Sequence, residues 1–406
     1  MQKTRPSRKL YVFLKRLITL PLLFLAMFFL VLYLTAPLYF FIESKPFEGN
    51  HINNPYKTLD TNNFRSVLFA APVASLGTIF VGDAQLMKEN MQINFPEFDH
   101  VEMVMRQKLF RNEIFKNEKL FSYQHGLGFA EPSMICIGAR KELWIDYPLF
   151  KNIHYKQGLI DKLLIDCNMV ALNPASFTPE DIRYLSGYHL IDLGNNTKHA
   201  TALWDSALSN GHLVYGFASE KKFEQGNHNN FYPNYIVVNQ AFNRNEVLKD
   251  AIKQGCSYVV THQQDLVVHR NHEELMSERP FLVNAFLNAD TFYVSTSHMA
   301  SFFKFISQNG KLLRLDENTS NASCVFGAED TYMRVEAGFP DGTKFLLNPL
   351  TRHQTETTEK QSKASMDVTK TALMRGVYII LIVILLQIIF KWQMRKLKVK
   401  NTNERL

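Results

Sequence analysis

The cluster Ser219-Glu220-Lys221-Lys222-Phe223 sets side chains that could do chemistry at a place where folds often keep it. It follows His212–Ala218, whose β-branched and aromatic residues predict a strand. A short helix over Ala202–Ser209, closed by Asn210-Gly211, precedes that strand. Loops at the carboxyl ends of strands carry the active sites of α/β folds and barrels. Carboxylates and imidazoles there would hold a divalent cation and lower the pKa of a bound water. Glu220 is the one such donor here, set beside two repelling lysines and a phenylalanine.

The other candidates are scattered. His262 and His269 flank Asp265, His269 and His272 lie three apart, and His298 sits among Ser and Thr; all four read as surface or loop histidines. His125, in Tyr-Gln-His-Gly, lies at a predicted strand end. Trp144 and Trp204 read as core residues. The four cysteines match no metal-ligand spacing. Cys136 and Cys167, within apolar SMICIG and LIDCNMVAL, read as buried thiols, and an oxidising compartment would permit a disulfide whose pairing stays open. No glycine-rich phosphate loop, nucleophile elbow or His-Glu-x-x-His motif is present.

The elements that must position these residues alternate from Phe64 onward. Strands are expected at Val67–Ala71, Asp99–Met105, Met134–Gly138, Leu163–Leu172, Tyr188–Leu193, Leu213–Ala218, Tyr235–Val238 and Ser257–Val260. Thr178 caps a helix with Pro179 first and Glu180 and Asp181 at its positive end; further helices fall at Ala202–Ser209 and Asn245–Gln254. Such alternation implies parallel βαβ units over 63–262. Residues 263–350 read as a small β appendage, with Thr331–Phe339 and Thr343–Leu347 joined by a Pro340-Asp341-Gly342 turn.

Both ends are of another character. Leu17–Ile42 carries no charge and is long enough to cross a bilayer core of roughly 30 Å. A second apolar run over 371–390 follows a polar tether at 351–370, while 43–62 reads as a linker. Basic residues flank both runs, at 1–16 and 391–406, which places both termini in the cytoplasm and the main domain outside the cytoplasmic membrane. The net charge of +7 divides accordingly: 1–42 and 371–406 contribute +6 each, leaving −5 for 43–370. A mildly acidic domain disfavours nucleic acid as a partner.

The succession NPASFTPEDIRYLSGYHLIDLGNN, ALWDSALSNGHLVYGFASEKK, YIVVNQAFNRNEVLKDAIKQGCSYVV and DTYMRVEAGFPDGTKFLLNPL resembles the PHP superfamily (polymerase and histidinol phosphatase domain), and most of all its membrane-tethered bacterial branch. The resemblance covers about Asn63–Pro349. It implies an α/β fold, a distorted seven-stranded β/α barrel, and in active members a two- or three-metal phosphoesterase site. Residue by residue, the implied ligands are mostly missing. The first-strand His-x-His is replaced by Ala70 and Pro72, a carboxylate by Gln124 beside His125, and a His-Pro by Asn173-Pro174. An Asp-x-His gives way to Lys221-Lys222-Phe223 next to Glu220.

The expectation is therefore a membrane-anchored, catalytically silent domain with no metal cofactor, in which Ala70, Pro72, Gln124, His125, Asn173, Glu220, Lys221 and Phe223 form a disused pocket. Its partners would be the lipid bilayer and an envelope protein, with a small anionic ligand at the lysines. Two rivals stand beside it. One is a phosphoesterase with a rearranged Mn, Zn or Fe site drawn from His125, Glu220, His228 and Asp83; the other is a structural subunit of an envelope complex.

Overall fold

In a computed structural model of the chain, apolar residues that alternate or cluster in short runs become strands, and the longer periodic runs become helices. The structure describes residues 8–57, 59–60, 63–72, 98–107, 120–126, 133–147, 152–194, 197–223, 233–239, 245–262, 279–355 and 364–403. In chain order the first elements are α1 (Arg8–Leu34), β1 (Tyr39–Phe40), β2 (His51–Asn53), β3 (Phe64–Pro72), β4 (His100–Arg106), β5 (Ser122–His125) and β6 (Met134–Ile137). Next come α2 (Ile153–Asp166), β7 (Met169–Leu172), α3 (Pro179–Tyr184), β8 (Leu190–Asp192), α4 (Thr197–Ser209), β9 (Tyr215–Phe217), β10 (Glu220–Phe223), β11 (Tyr235–Asn239), α5 (Asn245–Lys253) and β12 (Ser257–His262). The remainder is β13 (Leu282–Asn288), β14 (Thr291–Ser307), β15 (Lys311–Val325), β16 (Tyr332–Gly338), β17 (Thr343–His353), β18 (Ser365–Met366) and α6 (Val368–Asn403).

Two compact units emerge, one of 1–40, 149–158 and 365–406, the other of 41–148 and 159–364. In the first, α1 and α6 contact each other, and β1 pairs antiparallel with β18. Thr371 Oγ1 accepts from Leu38 N at 2.9 Å, and Tyr155 meets Tyr33 edge-on at 5.1 Å. Among the described residues, one helix segment, Val368–Lys391, is long and apolar enough to cross a membrane. The N-terminal run differs from expectation. Its apolar helix covers only Ile18–Leu34, because the chain leaves the helix before Pro37 and its aromatic residues turn into β1.

The second unit is mixed α/β around one sheet of order β13-β14-β16-β17-β12-β11-β3-β4-β5-β6-β7-β8-β9. Neighbours among β3, β4 and β5, and among β7, β8 and β9, run parallel. The expected all-parallel alternation breaks at β6 and β11, which run antiparallel to their neighbours. The sheet is no closed barrel. β11 occupies the edge of β3 along Phe64–Val67, so the return to β3 is left to β10, paired only at Glu220–Ala70 and Phe223–Pro72 with an irregularity between. Because β17 pairs with β12, the C-terminal strands continue the same sheet.

Several local expectations change as well. Leu163–Asp166 is helical rather than strand, since Leu159, Ile160 and Leu163 bury one side of α2. Ser219–Lys222 is not a loop: Glu220–Phe223 forms β10. Within the expected linker at 43–62, the described residues are anchored: β2 pairs with β17 and the buried Tyr56 donates to Ser257 O at 3.0 Å. Cys136 and Cys167 are not free thiols but a disulfide, with Cα atoms 5.9 Å apart, which joins β6 to the end of α2. Trp144 is 39% exposed, whereas Trp204 is fully buried. At the end of α4, Gly211 has φ +75°, and a Cβ there would meet Lys45 O at 1.8 Å.

The α/β and β-rich portions are tied by a buried ion pair. Arg334 on β16 donates to Asp205 on α4 through Nε and Nη2, both at 2.7 Å, and through Nη1 to Glu336 at 2.6 Å. Tyr332 Oη also donates to Asp205, at 2.9 Å, and Trp204 lies under the guanidinium. Removing Asp205 leaves the buried Arg334 with Glu336 alone and takes the acceptor from its Nε and Nη2 and from Tyr332 Oη. Asp205→Ala is expected to cost about 3–5 kcal/mol, read as a lowered urea midpoint at unchanged m-value.

Candidate functional site

The carboxyl ends of β3, β5, β7, β8 and β9 lie on one side of the sheet, because these strands run in the same direction. The antiparallel neighbours β6 and β11 begin there: Met134 pairs with Leu172 and His125, and Tyr235 pairs with Val260. Each expected site residue can be placed against this frame. Ala70, buried on β3, pairs with Glu220 on β10, and Pro72 pairs with Phe223. Gln124 and His125 end β5. Asn173 follows β7, donates N–H to Ser133 O at 3.0 Å, and accepts from Ala175 N.

Gln124, His125, Asn173 and Glu220 are all buried, and His125 packs edge-on against Tyr123 with centroids 6.4 Å apart. Lys221 lies in β10 between the two paired positions, with its side chain and that of Phe223 outside the described residues. Asp83 and His228 also lie outside the described residues, as do Asp265, His269 and His272.

The strand-end positions are joined by polar residues that the sequence reading did not select. Asp192, at the end of β8, accepts from Gly194 N and Ser219 N through Oδ1, both at 3.1 Å, and from Ser219 Oγ through Oδ2 at 2.6 Å. These bonds turn the chain between β9 and β10. Glu220 Oε2 accepts from Asn234 N and Nδ2, both at 3.0 Å, and Asn234 Nδ2 also donates to Gly194 O at 2.8 Å. Gln107, just past β4, donates to Leu143 O at 2.6 Å and accepts from Gly126 N at 2.8 Å. Glu102 is buried on β4, 3.6 Å from His100. The available signal was an acid directly before Leu-Gly at the end of an apolar strand, in LIDLG.

This donor set does not fit a multinuclear metal centre. Among the described residues, no three His, Cys, Asp or Glu side chains converge where they could hold a metal ion. Ala70 supplies no donor, and Gln and Asn are poor ligands for such metals. The carboxylates of Asp192 and Glu220 instead receive N–H and O–H groups, which balances their burial with hydrogen bonds.

His262, expected on a surface loop, ends β12 half-buried. Its N–H donates to Asn234 Oδ1 at 3.2 Å, and its Nδ1 lies 3.3 Å from Thr343 Oγ1. Burial, then the nearby Arg279 cation, pushes its pKa down to about 4, with Asp341 opposing.

No family model matches the chain, and no curated protein is detectably similar to it. Among solved structures it is similar to a two-domain protein containing a predicted PHP-like metal-dependent phosphoesterase from Bacteroides vulgatus ATCC 8482. The identity is 10%, over 75% of this chain and 99% of that chain, with a TM-score of 0.32. At that score the likeness carries no inference about activity.

The His262 geometry gives a testable pH dependence. Its folded pKa lies below the unfolded value of about 6.5, so the folded chain binds fewer protons between the two. The resulting stability is present above pH 6.5 and is lost as pH falls towards 4. Over that window the wild type should lose about 2 kcal/mol more than His262→Gln, measured by urea unfolding at pH 7, 5.5 and 4.5. Parallel profiles for the two proteins would contradict the assignment.

Proposed function

We propose that this chain is a membrane-anchored binding protein whose strand-end site recognises a ligand or partner instead of performing metal-dependent hydrolysis. The observation that carries this reading is the use of the buried carboxylates: Asp192 accepts from Gly194 and Ser219, and Glu220 Oε2 accepts twice from Asn234. A metal ion would compete with those donors for the Asp192 and Glu220 oxygens that already accept them. The return of β10 to β3 sets Glu220 beside Ala70 at the strand ends, the residues this reading takes, with Gln124, His125 and Asn173, as remnants of a PHP-like site.

Purified full-length protein loaded with Mn²⁺ or Zn²⁺ and dialysed should retain well under one equivalent of metal. It should also give no turnover of a generic phosphodiester. Stoichiometric metal with turnover that is abolished by His125→Ala would establish the phosphoesterase reading in its place.

We further propose that α1 and α6 both insert, with the termini in the cytoplasm and the α/β unit outside. Support comes from Val368–Lys391 and from apolar side chains exposed along both helices, Ile18, Leu22 and Phe28 on one, Leu373, Ile380 and Phe390 on the other. A bilayer removes that surface from water. The 17-residue run Ile18–Leu34 spans about 25 Å, within reach of a thinned or locally adjusted bilayer. Epitope tags at either end should survive external protease on intact cells, and a protease site placed after Thr355 should be cut. Loss of either tag overturns this topology.

A further inference from the structure

The C-terminal strands carry a second surface, independent of the strand-end site. Tyr293 on β14 stands opposite Phe286 on β13 and Ser323 on β15, so three strands set one outward row. The Phe286 and Tyr293 rings stack with centroids 5.0 Å apart and planes at 11°, yet remain 42% and 38% exposed. The next row is polar throughout: Asn284, Ser295 and Asn321. A flat pair of aromatic rings left in water beside amides and hydroxyls is unusual, since aromatic surface is normally buried.

Tyr293 is also a wall of a cavity of about 610 Å³, within the range of small-ligand sites. Arg314, Asp316, Glu317, Thr319 and Asn321 line it with Tyr293. Arg314 Nε donates to Asp316 Oδ1 at 2.8 Å, which cancels one charge pair and orients both planar groups. Asp316 Oδ2 is buried and has no hydrogen-bond partner among the described residues. That is an acceptor whose need a donor on a bound molecule would meet. Asn318 adopts φ +51° within β15, where the register with β14 shifts between Ser295 and Ala300, so the strand bends beside the cavity.

We propose that this groove binds a neutral carbohydrate, one or more pyranose rings of an oligosaccharide. A pyranose presents an apolar C–H face, which fits an aromatic ring, and an equator of hydroxyls that both donate and accept. Planar amide, carboxylate and guanidinium groups each offer two coplanar polar atoms to such hydroxyls. The lining leaves Glu317 unbalanced once Arg314 and Asp316 are paired, so phosphates and other anions are disfavoured. An apolar peptide side chain would leave the Asp316 oxygen unmet.

The test is affinity electrophoresis of the full chain in detergent through gels containing soluble β-glucan, xylan, mannan, galactan or chitin oligosaccharide. At least one should retard the protein, and the retardation should persist in 0.5 M salt, about the regime where exposed ionic contacts are screened. Tyr293→Ala should weaken binding about tenfold or more, while Tyr293→Phe, which keeps the ring face, should stay within about twofold. Asp316→Asn should weaken binding with circular dichroism unchanged. Failure of every polysaccharide to retard the wild type, or undiminished binding by Tyr293→Ala, overturns the proposal. Loss of binding in salt overturns its neutral character.

Discussion

A carboxylate buried at the end of a strand must be met by donors, and Asp192 meets that requirement in a way that shapes the α/β unit. Its two oxygens collect the backbone N–H groups of Gly194 and Ser219 and the Ser219 hydroxyl. Holding Ser219 there ends β9 and sends the chain into β10, where Glu220 pairs with Ala70 and captures Asn234. The strand-end site therefore depends on the hydrogen bonds that one acid collects. The same bonds that organise the site are the ones on which the proposed binding role rests.

Within this unit the C-terminal strands are joined to the α/β portion by polar groups placed among buried apolar residues. Asn348 Oδ1 accepts from Gly216 N at 2.7 Å, and its Nδ2 donates to Gly255 O and Ser257 O. Tyr56 donates to Ser257 O and accepts from Asn348 N at 2.6 Å. These bonds fix register between strands far apart in the chain, which apolar contacts alone specify weakly, and Arg334 with Asp205 ties β16 to α4.

How much could be read beforehand varied with the range of the interaction involved. The start of α3 follows from local chemistry, and Thr178 and Asp181 form the reciprocal cap that their spacing implies. The Pro340–Gly342 turn joins β16 and β17 for the same reason. Leu163–Asp166 misread as strand because a short apolar run fits both periods, and only burial of one face of α2 decides between them. Residues 43–62 looked like linker because the anchors within them, Tyr56 and β2, pair with residues about two hundred to three hundred positions away.

The candidate site divides in the same way. Residue types alone determined that Ala70, Gln124 and Asn173 are poor or empty metal donors, that the ends are basic and apolar, and that the intervening domain is mildly acidic. Only the tertiary structure decided which residues meet. It set Ala70 against Glu220, joined Cys136 to Cys167, half-buried His262, and gave Asp192 and Asn234 their places. It also kept the sheet from closing, by giving the first half of β3 to β11. The physical reason is common to all of these. Side-chain chemistry and hydrophobic period are local properties of a chain, whereas edge pairing, burial and the satisfaction of buried polar groups are settled only between segments distant in sequence.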